Sequence, residues 1–308
     1  MNTPSSTVPE SFDARGIAPA AIAATRPIYW SVRRELWENR SIYIAPLVAA
    51  AVSLFGFLIS LIALPQHRMS RVLALDPAKQ RAALELPYEI AAALIMGTAF
   101  IVGIFYSLDA LYGERRDRSI LFCKSLPVSD RTAVLSKLSI PLIVLPLLSF
   151  IITIATQLIM LLLSSLVVLA SGLSLSALWT QSSFLHMSLL LLYHIVTVHG
   201  LWYAPFYGWL LMVSAGAPRA PFVWAFLPPF LICAVEQLTF NTSHFASMLL
   251  HRLMGPESPT SPGGSMMDQI AALTAAQFFS EPGLWVGLAI AALFLAATVR
   301  LRRYRGPI

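Results

Sequence analysis

The residues best suited to chemistry are concentrated in one stretch, 106–138, where charge is dense in an otherwise apolar chain. Glu114, Arg115, Asp117 and Arg118 mix signs within five positions, with Asp109 and Arg116 beside them. Ile120, Leu121, Phe122 and Leu126 follow as an apolar patch, and Lys124, Ser129 and Asp130 close the stretch. Charges of both signs next to apolar side chains suit docking to another protein: the apolar groups anchor and the charges set register. A loop that only fixed membrane orientation would need Lys and Arg alone. Pro127 must end one helix, because its ring cannot sit in an interior turn. Ser129 can start the next by accepting from its free amides. Residues 109–138 therefore read as helix, tight break, helix: a projecting elbow.

Other polar residues lie within apolar runs. Glu236 sits near the end of the fifth run, where a carboxylate is costly and suits an outer gate, a structural hydrogen bond or contact with cargo. His194 and His199 are five apart and do not share an α-helical face, so no metal site is expected; hydrogen bonding between helices is the expected role. Tyr203 and Trp209, with Tyr193, Trp202 and Tyr207, either line a path for amphipathic cargo or form an interfacial aromatic belt. Pro228 and Pro229 should kink their helix. Cys123 and Cys233 fall in unlike surroundings and are not expected to pair. The chain has no G-x-x-x-x-G-K-[ST] phosphate loop, no H-E-x-x-H and no G-x-S-x-G elbow, so no catalytic residue or nucleotide site is expected in it.

The elements that must position these groups follow from composition. Of 308 residues, 57% are hydrophobic and 12% charged, against about 25% charged in an average soluble domain. Mean hydropathy is +0.72. That much apolar surface needs lipid to solvate it. Runs near 41–64, 90–108, 139–163, 187–213, 221–240 and 283–301 each approach the ~20 residues a spanning helix needs. They are continuous rather than alternating, which excludes barrel strands. The fold expected is an all-α integral membrane protein with six transmembrane helices and an N-terminal amphipathic interfacial helix.

Net charge is +6. The basic residues flank the apolar runs, so they bear on topology and not on nucleic acid. Six spans place sixteen of the 21 Lys and Arg on the side of the termini; Arg68, Arg71, Lys79, Arg81 and Arg252 fall on the other. Both termini are thus expected in the cytoplasm. Residues 1–25 read as a disordered cytoplasmic tail without a cleaved signal. Residues 26–40 read as an amphipathic helix in the headgroup plane. Ile28, Tyr29, Val32 and Leu36 form its apolar arc, Trp30 and Trp37 flank that arc, and Arg33, Arg34, Glu35, Glu38 and Arg40 fill most of the remaining, polar side, the arginines toward water or phosphate. The loop 241–282 reads as two short helices at the outer face, separated by a Gly- and Pro-rich turn at 255–264.

Gly113-Glu114-Arg115, then Asp117-Arg118-Ser119-Ile120-Leu121 and Lys124-Ser125-Leu126-Pro127-Val128-Ser129-Asp130, resemble the cytoplasmic loop of ABC transporter type-2 permeases. The order of helix, six spans and short outer helices before the last span is similar as well. The resemblance implies a non-catalytic permease subunit of an exporter in the cell inner membrane. It implies ATP and Mg bound by partner ATPase subunits that contact this loop, and a second permease subunit completing a homo- or heterodimer. The long polar tail departs from the family pattern. The rival readings are an ion-gradient-driven secondary transporter, which needs ionisable residues near the midplane, and a polytopic membrane enzyme, which needs catalytic side chains gathered at one depth.

Overall fold

A computed structural model describes residues 27–63, 77–125, 128–170, 184–255, 275–306 and 308. The tail 1–25, the break at Pro127, the polar patch 171–183 and the turn at 256–264 lie outside the described residues.

All of the described elements are helical. They are α1 (Pro27–Glu38), α2 (Ser41–Ala63), α3 (Pro77–Asp109), α4 (Tyr112–Arg116), α5 (Ser119–Ser125) and α6 (Asp130–Ser139). A π-helical turn, Ile140–Val144, leads into α7 (Leu145–Ala170). After α8 (Phe184–His194) a second π segment, Ile195–Trp202, leads into α9 (Ala204–Gly216). The chain closes with α10 (Pro221–Phe240), α11 (His244–Met254), α12 (Ala275–Ser280) and α13 (Pro282–Tyr304).

Five helices are long and apolar enough to cross a bilayer, and a sixth span results if Met187–Trp202 and Ala204–Gly216, bent by 45°, cross as one. The chain is an all-α membrane protein. The bend has a covalent cause. Pro205 has no N–H for the carbonyl four residues back, and its ring crowds that turn. The amide of Tyr203 bonds instead to the carbonyl of Val198 at 3.0 Å, five residues back. Pro141 lies within the first π turn and Pro146 just beyond it, and there Leu145 donates to the carbonyl of Ile140, five residues back. By contrast α10 runs through Pro228 and Pro229 as a single helix.

The second spanning helix is longer than its apolar run, since α3 begins at Pro77 rather than near 90. The core centres on α9, where Tyr207, Leu210 and Leu211 are fully buried with Leu108, Leu111 and Leu284. A Cβ at Gly103 would meet the Tyr207 hydroxyl at 2.8 Å, so glycine is what lets α3 approach α9 this closely.

Candidate functional site: a buried ionic hub beneath the elbow

The elbow is anchored more deeply than its sequence implies. Tyr112–Arg116 forms one turn, with the chain reversing at Arg118, whose φ of 58° is left-handed. Ser129 caps α6 by accepting from the amide of Thr132 at 3.1 Å. Between these points Glu114 turns inward. One of its carboxylate oxygens accepts from Lys137 Nζ at 3.2 Å and the other from Arg302 Nη1.

The network extends in both directions. Lys137 Nζ also donates to Glu35 Oε1 at 2.7 Å, and the Tyr106 hydroxyl donates to Glu35 Oε2 at 2.8 Å. Arg302 Nε donates to Asp130 Oδ1 at 3.2 Å. One chain of contacts therefore links α1, α3, α4, α6 and α13. Three carboxylates face two cations, and the side chains of Lys137 and Arg302 are each only 5% exposed. A cavity of about 60 Å³ adjoins the hub, lined also by Ser31, Arg34 and Val128, with room for a few waters.

Glu35 was expected on the polar side of α1. Instead it is buried, because Val32 and Leu36 on either side pack against Ile42, Tyr106 and Ile140. Only that half of the apolar arc is covered; Ile28 and Tyr29 remain more than half exposed. Arg34 pairs with Glu38 at 2.7 Å, while Trp30 and Trp37 point outward.

Arg115 was expected to meet a partner, yet it is 6% exposed. Its Nη1 donates to the carbonyls of Ala215 and Ala217 at 2.9 and 3.0 Å, and its Nε to that of Gly306 at 3.3 Å. Those carbonyls at the end of α9 have no helical partner, so the guanidinium acts as a C-terminal cap. Ser214, which sequence reasoning did not single out, does comparable work. Its hydroxyl donates to Leu108 O at 2.7 Å and accepts from the amides of Leu111 and Tyr112 at 3.1 and 2.9 Å. A serine in an apolar run is too common for its sequence position to have signalled this.

Ile120 is also turned inward, at 2% exposure, which its adjacency to Leu121 and Phe122 concealed. What the elbow displays outward is Arg116, Asp117, Arg118, Leu121 and Phe122. The last two are 60% and 65% exposed. Lys124 lies in α5, with its side chain outside the described set.

At the opposite end of the spans, Glu236 caps α11. It accepts from the Thr242 hydroxyl at 3.0 Å and from the amides of His244 and Phe245 at 2.8 and 2.9 Å. A carboxylate on free amides at a helix start also meets the positive end of the helix dipole. The other end of α11 is tied to the junction between the second π segment and α9: Trp202 Nε1 donates to Arg252 O at 3.0 Å and the Tyr203 hydroxyl to Leu253 O at 2.9 Å. The Arg252 guanidinium lies 4.3 Å from the Trp202 ring centre and donates to Gly283 O at 3.0 Å. Burial lowers its pKa from the ordinary arginine value. Trp209 joins α9 to α10 through Ala225 O at 3.1 Å.

The expectation that His194 and His199 occupy different faces is wrong for this backbone. A π-helix repeats through i→i+5 bonds, which brings the two rings to 5.5 Å between centroids. His199 Nδ1 and the Tyr193 hydroxyl are buried with no hydrogen-bond partner among the described residues. Among the described residues no group of three or more His, Cys, Asp or Glu is placed to hold a metal ion.

No family model, curated protein or solved structure matches this chain.

Proposed function

We propose that this chain is the membrane-spanning permease subunit of an ABC-type exporter. It has six spans, α1 lies along the membrane surface, and both termini are cytoplasmic in a cell inner membrane. The observation that carries the reading is the placement of Glu114. It sits on a protruding elbow and grips, through one carboxylate, the start of the third span and the end of the last. A push on the elbow is thereby delivered to several spans at once, through a packed and paired network.

The division of labour within the elbow follows from burial. Leu121, Phe122, Asp117 and Arg118 form the face for a partner ATPase, with Ser129 at its edge. Glu114, Arg115, Ile120 and Asp130 are the inner linkage that passes the motion on. ATP and Mg are bound by that partner, and this chain catalyses nothing itself. A second permease subunit completes the path. Glu35, Arg115, Lys137 and Arg302 are buried at the elbow end of the bundle, and Glu89, also buried, borders the other end of the apolar run of α3; charges at the ends weigh against an ion-driven transporter needing them near the midplane.

The experiment is capture of the tagged chain from its native host, with the captured proteins assayed for ATP hydrolysis. The chain should bring down a soluble ATPase. A chain carrying Leu121→Asp and Phe122→Asp should melt at an unchanged temperature and bring down none. Transport by the purified chain alone, without any nucleotide-hydrolysing companion, rules this reading out.

A further inference from the structure

The outward face of α1 carries an arrangement that the coupling role leaves unused. Val32, Glu35 and Leu36 turn toward the bundle. Trp30, Arg33 and Trp37 share another face at helical spacing i, i+3 and i+7. The Arg33 guanidinium lies 5.3 Å from the Trp30 ring centre and 4.8 Å from that of Trp37. Both indoles are open, at 56% and 70% exposure. The acidic residues of α1 are engaged elsewhere, Glu38 with Arg34 and Glu35 with Lys137.

We propose that Trp30, Arg33 and Trp37 form a clip for the phosphate of an anionic phospholipid. The location supports a lipid occupant. α1 ends at Glu38, and the spanning helix α2 begins at Ser41. Along α2 the side chains of Ile44, Leu47, Val48, Val52 and Phe55 are exposed on the protein, an apolar surface of the kind that lipid covers. Only Asn39 and Arg40 separate the two helices, so α1 lies where the chain enters its first span, the level at which hydrocarbon gives way to headgroups.

The chemistry supports an anionic headgroup. Indoles settle at this level, with an apolar body and a polar edge. A guanidinium stacked against two ring faces is held in place while its N–H edge stays available. That edge matches phosphate oxygens in a fork that an ammonium cannot reproduce. A zwitterionic headgroup brings its own cation beside Arg33; an anionic one does not. This inference needs no ATPase and stands whether or not the permease reading holds.

The test uses the full chain in detergent, offered equal amounts of dioleoyl phosphatidylglycerol and dioleoyl phosphatidylcholine, with bound lipid counted by native mass spectrometry. The wild-type chain should retain phosphatidylglycerol in excess. Arg33→Gln should cut that excess about five-fold, the scale of one basic residue at an anionic surface. Arg33→Lys and Trp37→Leu should fall between the two. Arg219→Gln, which removes an exposed charge elsewhere, should leave the excess intact. An unchanged ratio in Arg33→Gln overturns the clip, as does an equal loss in Arg219→Gln, which marks general attraction only. If Arg33→Gln leaves lipid unchanged and abolishes ATPase capture, the face is a protein dock and the lipid assignment is wrong.

Discussion

Lys137 reaches Glu35 at 2.7 Å across 102 positions of sequence, and neither side chain is more than 8% exposed. This bond holds α1 against α6, and through Glu114 it joins the elbow to both. A buried pair of this kind contributes little net stability when intact, because desolvation offsets attraction. Removing one partner is different, since it strands the other charge.

Glu35→Ala should therefore destabilise the chain by about 3 kcal/mol, the low end for breaking a buried pair. The double replacement Glu35→Met with Lys137→Met should cost less than either single change. Thermal unfolding of the detergent-purified variants measures both. Single variants within ~0.5 kcal/mol of wild type, the range of ordinary surface changes, would contradict the burial of this pair.

Glu114→Lys puts a third cation between Lys137 and Arg302 and should prevent stable folding. Arg118→Glu, on the exposed turn, should leave the melting temperature nearly unchanged while weakening ATPase capture. If both reversals leave folding intact and act only on capture, Glu114 belongs to the docking face after all.

Arg118 holds a left-handed backbone, which costs an L-residue about 1 kcal/mol. Arg118→Gly should be neutral or stabilising by a fraction of that amount. Arg118→Val should destabilise by at least 1 kcal/mol, a β-branched residue being a true outlier at this φ. Comparing the two melting shifts is the measurement, and the reverse order would refute the turn geometry.

Ser214→Ala should cost about 2 kcal/mol, because two amides and a carbonyl lose a buried partner at once. Hydrogen exchange should quicken at the amides of Leu111 and Tyr112 and remain unchanged in the middle of α13. Exchange that stays slow at both amides would mean that the serine is not their acceptor.

Gly287 lies beneath the Arg252 guanidinium, where an added Cβ would fall 1.6 Å from Nη2. Gly287→Ala should drive Arg252 off the Trp202 ring and loosen α11 from α13, at a cost of about 1–3 kcal/mol for overpacking. Cysteine pairs placed across α11 and α13 should then cross-link more slowly. Unaltered cross-linking would show that the guanidinium has another place to rest.

The amino-acid sequence alone determined that lipid surrounds this protein and that its elements are helices. Uninterrupted apolar runs leave no other way to satisfy a backbone in hydrocarbon. It also determined the Ser129 cap, a bond between residues three apart. What it left open were the directions of side chains whose partners lie far along the chain. Glu35 looks solvent-facing on a helical wheel, yet turns inward because Lys137 and Tyr106 meet it there. Ile120 and Phe122 are two residues apart in one apolar patch, and only the packing of α5 decides which is covered. His194 and His199 come together because the π segment Ile195–Trp202 changes the helical repeat, which no count based on 3.6 residues per turn reveals. Local periodicity and capping are properties of neighbours in sequence; the pairing of buried charges depends on low-dielectric contacts that exist only once distant helices have packed.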